Sequence, residues 1–148
     1  MKRYFGSFLL RRLRGGVVLR REEHQVVSSM IAELPDHLRA TVESQFNQSN
    51  LVQRESDGRA LNFYRMGLFR TKPLSPRTRL PGGAGDSPLI RVSVSVPGEE
   101  HPLRATLSAV AGKAFCASFS RPLPDTDSER PLRITEVVPA WMASFPAG

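Results

Sequence analysis

The chain predicts an α+β fold, with N-terminal helices packed on one face of a mostly antiparallel sheet of five to six strands. Three observations carry that expectation. Apolar residues recur at three- and four-residue steps as far as Phe46. Beyond Asn50 the period changes to two. The links between the later alternating runs are short, which favours antiparallel neighbours, and helices before strands is the chain order of an α+β domain.

Phe5, Phe8, Leu9 and Leu13 fall on one helical stripe among arginines, and Gly15-Gly16 ends it. Leu19, Val26, Val27, Met30, Ile31 and Leu34 then predict a helix from about Val17 to Glu33 with one face buried. Pro35 suits the first turn of a second helix, in which Leu38, Val42 and Phe46 step by four before the amide-rich stop at Asn47 to Asn50.

Leu51 to Glu55 and Ala60 to Leu68 flank an Asp57-Gly58 turn, a strong hairpin signal. Prolines and glycines punctuate the stretch 70–88 too often for regular structure, so it reads as a flexible loop. Ile90 to Val96, Leu103 to Ala109 and Ala114 to Ser120 follow as sequential strands, with Phe115 and Phe119 expected on one face and Cys116 on the other. Leu132 to Val138 gives a last strand, and Trp141 is expected to fold back on the core. The organisation is thus a basic amphipathic segment over 1–16 and a single domain over 17–148.

Of 148 residues, 40% are hydrophobic and 24% charged, a globular composition long enough for one buried core. Cys116 is the only cysteine, which excludes an internal disulfide and favours a reducing, cytoplasmic home. Tyr4 to Leu10 is too short for a spanning helix or a secretory core, while import through an arginine-rich transit peptide is the minor alternative.

Charge is segregated. The first 21 residues hold Lys2, Arg3, Arg11, Arg12, Arg14, Arg20 and Arg21 and no carboxylate, so they carry the whole net charge of +7; the remaining 14 basic residues meet 14 acidic ones. Such clustering seeks an anionic counter-surface. Arg3, Phe5, Phe8, Arg11, Arg12, Arg14, Arg20 and Arg21 are therefore the candidate partner-binding residues. A second basic surface forms if Arg54, Arg65, Arg91 and Arg104 meet on the polar sheet face.

The chemical motifs are weak. His24, His37, His101 and Cys116 are scattered singly, so no metal or cofactor site is expected. Gly82-Gly83-Ala84-Gly85 and Gly112-Lys113 lack the spacing of phosphate-binding loops. An enzyme would need a pocket between helix 35–46 and the sheet, with His101, Cys116, Glu55 or Asp57 as acid, base or nucleophile.

The expected function is accordingly that of a non-enzymatic intracellular binding or adaptor protein, engaging a macromolecular partner through its basic N-terminal segment. A protein partner stands first. Nucleic acid and an anionic membrane surface are the rivals, and a homodimer through a sheet edge is a further option.

Overall fold

The computed structural model describes residues 16–66, 71, 79–80, 85–126 and 131–144. Helix α1 spans Arg21–Ala32 and helix α2 spans Asp36–Gln48. Six antiparallel strands follow: β1 (Leu51–Arg54), β2 (Ala60–Tyr64), β3 (Asp86–Ser95), β4 (Leu103–Val110), β5 (Lys113–Phe119) and β6 (Arg133–Pro139). They form one sheet in the order β1-β2-β5-β4-β3-β6, and a single turn, α3 (Trp141–Ser144), closes the described chain. The fold is α+β, as its periodicities require. The expected N-terminal stripe lies outside the described residues.

Helix α1 starts four residues later than the apolar spacing predicts. Val17 N–H donates to Val52 O at 2.8 Å, which keeps the chain extended beside β1 until Arg20. There the Glu23 carboxylate reaches back to accept the Arg20 N–H at 2.8 Å, one half of a capping box. Val26, Val27, Met30 and Ile31 are buried at helical spacing. Pro35 caps α2 rather than opening it, its carbonyl accepting the N–H groups of Leu38 and Arg39 at 3.0 and 2.8 Å.

Sheet register decides which side chains meet the helices. Ile90, Val92 and Val94 lie opposite Leu107, Ala105 and Leu103, and Leu107 and Ala105 in turn oppose Ala117 and Phe119. All of these share one buried cluster with residues of both helices. On the same face the Phe46 ring of α2 meets Phe63 of β2 edge-on, with centroids 4.6 Å apart. Trp141 packs against the cluster too, as its position after the last strand suggests.

Two departures from the expected strands have local causes. Strand β3 begins at Asp86, inside the stretch 70–88 expected to be a loop, and tolerates Pro88 because its pairing with β6 begins only at Ile90. Pro88 is paired with Ser108 of β4 alone, and a register irregularity follows at once, the kind of place where a strand accepts proline. The second is a bulge in β5: Ser108 faces Cys116 but Ala109 faces Ala114, leaving Phe115 as the extra residue. Phe115 therefore leaves the core side on which alternation placed it with Phe119.

The β4–β5 turn is anchored by α2. Ala111 and Gly112 both have positive φ, 49° and 76°, the requirement of a two-residue turn whose twist matches its strands. Gln45, 1% exposed, donates from Nε2 to Gly112 O at 2.9 Å and accepts the Ala114 N–H on Oε1 at 2.6 Å. Leu80 N–H also donates to Gly112 O, and a Cβ on Gly112 would stand 2.8 Å from Leu80 O.

Gly112→Ala should thus lower the stability read in urea melts by more than the ~1–3 kcal/mol of a strained backbone alone. Ala111→Gly, which removes a Cβ from a left-handed position, should raise it by about 0.5–1 kcal/mol.

Candidate functional site

The two described members of the N-terminal basic cluster are already engaged. Arg20 Nη1 lies 3.4 Å from Asp125 Oδ1 and its Nε 3.7 Å from Glu23 Oε1. Arg21 Nη2 lies 3.5 Å from Glu22 Oε1 and donates to Thr126 O at 3.1 Å. Both arginines thus tie the start of α1 to the segment before β6. Arg3, Phe5, Phe8, Arg11, Arg12 and Arg14 lie outside the described residues.

Glu22 and Glu23 are buried, and each is held by several donors. Glu23 takes both arms of Arg54, Nε to Oε1 and Nη2 to Oε2, at 2.7 Å each. This fork turns Arg54 toward α1, so it cannot join a basic patch on the opposite sheet face. Burial pushes the Glu22 carboxyl up, but its own N–H, the N–H and hydroxyl of Thr126 and the charge of Arg21 outweigh that, leaving it below the usual carboxylate range.

Across the sheet from the helices, alternation leaves a polar face. Arg91 is opposite Thr106 and Ser93 opposite Arg104, so the two arginines are diagonal neighbours, about 7–8 Å apart at the backbone. Both are exposed, and among the described residues neither guanidinium has an ion-pair or hydrogen-bond partner. They line a groove of about 430 Å³ with Ser93, Thr106, Ser118 and Ser120. At its β6 rim Glu136 accepts the Ser93 hydroxyl at 3.0 Å. Two of the four arginines expected on this face converge; Arg65 instead donates to Gln48 at the end of α2 at 2.9 Å.

The same face continues toward the β4–β5 turn as an aromatic corner. Tyr64 alternates with the inward Phe63, and its ring meets Phe115 at right angles with centroids 5.0 Å apart. Lys113 Nζ lies 6.0 Å from the Tyr64 centroid and 5.8 Å from that of Phe115. Burial, and then the charge of Arg65, hold the Lys113 ammonium below the usual lysine range. Burial, then Cys116 and Glu55, push the Tyr64 phenol up, so it is neutral at physiological pH.

Of the acid, base and nucleophile candidates, His101 and Asp57 lie away from Cys116, while Glu55, exposed directly after β1, is near enough for its charge to reach the thiol. Cys116 faces Ser108, five residues along β4 from Leu103, a separation of about 17 Å, and His101 lies beyond that in the exposed β3–β4 turn. Burial, then Glu55 and Asp86, push the Cys116 thiol up, which suppresses the thiolate that nucleophilic attack requires. Asp57 is exposed in the β1–β2 turn, accepting the Arg59 N–H at 2.9 Å. Leu38, Val42, Gln45 and Phe46 occupy space between α2 and the sheet, where the enzyme alternative needs its pocket.

No family model, curated protein or solved structure matches the chain. Among the described residues no helix is long and apolar enough to cross a membrane.

Because the folded-state pKa of Glu22 is lowered, its contribution to stability is present above the ordinary carboxylate pKa of about 4.3 and is lost as pH falls through the lower folded value. Glu22→Gln should reduce stability at pH 7 and flatten the acid limb of a thermal-melting profile; an unchanged acid limb would contradict this role.

Proposed function

We propose that the protein is a non-enzymatic binding protein that engages an anionic macromolecular partner through the open face of its sheet, with the arginine-rich N-terminal segment adding affinity. One observation carries the reading: Arg91 and Arg104 are diagonal neighbours in a hydroxyl-lined groove, and among the described residues neither is paired with a carboxylate. Two unit charges held about 7–8 Å apart, the backbone separation of this pair, would repel by about 0.5 kcal/mol in water, and an anion bridging them reverses the sign. The partner's charge, more than an apolar patch, then sets affinity and encounter rate.

The chain's charge distribution supports the same reading. Among the described residues Arg20, Arg21, Arg39, Arg54 and Arg121 each face a carboxylate, whereas the groove pair, like Arg59, Arg79 and Arg133, does not. Among the described residues one carboxylate, Glu136, lines the groove at its rim, where it accepts the Ser93 hydroxyl. Arg11, Arg12 and Arg14 reinforce attraction to any polyanion without supplying shape.

Elution from immobilised heparin in a salt gradient tests this. Arg91→Ala/Arg104→Ala should elute at lower salt than the wild-type chain while melting at nearly the same temperature, and Arg11→Ala/Arg12→Ala/Arg14→Ala should shift elution further. Wild-type elution by the groove variant would refute the open face as the docking surface.

A further inference from the structure

Resting on the open-face reading, we infer that the anionic partner is a single-stranded nucleic acid, with phosphates on Arg91 and Arg104 and bases stacked on Tyr64 and Phe115. Two independent features lie on one uncovered surface, and this polymer carries the chemistry of both. Proteins that hold single strands combine a basic groove that follows the backbone with aromatic rings that accept base faces. A duplex hides its base faces, and an acidic peptide has none.

The spacing suits a strand laid across the sheet. Ser120 N–H donates to Arg104 O, which places the arginine end beside the end of β5. Phe115 lies five residues back along β5, about 16 Å away in extended chain. Between them the open face presents Thr106, Ser108, Ser118 and Asn62, which register places on adjacent strands. These hydroxyl and amide groups give and accept hydrogen bonds without adding charge, which suits sugars and base edges.

The aromatic corner is built for stacking rather than for core filling. The bulge at Phe115 moves this ring out of the buried alternation and against Tyr64, and both rings remain only part-buried. Lys113 lies within cation–π range of both, a third basic group at the far end of the track. Among the described residues three carboxylates act near this face: Glu136 at the groove rim, and Glu55 and Asp86, whose charges reach Cys116. Glu55 and Asp86 oppose phosphates near the aromatic corner, which favours backbone contact at the arginine end, while Glu136 opposes phosphates at the groove rim itself.

Fluorescence anisotropy with a labelled twelve-nucleotide oligothymidylate, a duplex of equal length and heparin as competitor tests the inference on the full chain. The single strand should bind at least about tenfold more tightly than the duplex. Tyr64→Leu/Phe115→Leu keeps apolar bulk but removes the ring faces, and should weaken single-strand binding by about fivefold or more while leaving heparin elution unchanged. Arg91→Ala/Arg104→Ala should reduce the slope of log affinity against log salt by about 1.4, at roughly 0.7 per lost phosphate contact on a single strand. Glu136→Gln should tighten binding.

Equal affinity for duplex and single strand, or full affinity in the leucine variant with its thermal melt intact, would overturn stacking. Loss of heparin retention in the arginine variant alongside either result would leave the anionic-partner reading standing. Heparin retention that ignores Arg91 and Arg104 would remove both.

Discussion

The molecule depends on the two-residue period of its central strands. Along β3 and β4 the residues that register directs inward, Val92, Val94, Leu103, Ala105 and Leu107, are all almost fully buried beneath the helices. A pleated strand has no freedom to bury one set without presenting the other. Arg91, Ser93, Arg104 and Thr106 therefore face away from the core as a direct consequence of hydrophobic burial. The groove is fixed by the same pattern that stabilises the sheet, which gives it a rigid base.

Charge is used differently on the two sides. On the helix side, buried Glu23 collects the Arg54 fork and the Arg20 N–H, joining the entry of α1 to β1. Breaking such a buried pair by deleting one partner costs about 3–5 kcal/mol, since the remaining ion stays desolvated. On the open side the Arg91 and Arg104 guanidinium groups are exposed and, among the described residues, find no such partner. Structural arginines and the proposed docking arginines are thus separated by the thickness of a single sheet.

Much of the fold is legible in the order of residues because it is local. The step of four at Leu38, Val42 and Phe46, the Asp57-Gly58 turn and the alternation from Ile90 onward each appear in the structure as the expected element. What escapes a local reading is set by distant contacts. Val17 leaves the helix because its N–H meets Val52, Arg54 turns inward because Glu23 waits there, and Phe115 changes face because β5 carries one residue more than β4 opposite it. Arg91 and Arg104 can be suspected from alternation, but their adjacency needs strand register. The role of Tyr64 and Phe115 as a pair has no sequence signal short of knowing that β2 and β5 are neighbours.

The most direct measurement of the central claim is a map of side-chain resonance shifts during titration of the isotope-labelled full chain with oligothymidylate. Movement of the Tyr64 and Phe115 ring signals together with the Arg91 and Arg104 Nε signals, while the inward Phe46 and Phe63 rings stay fixed, is the predicted result. Shifts confined to α1 and α2, with those two rings and two guanidinium groups unmoved at saturation, would contradict it.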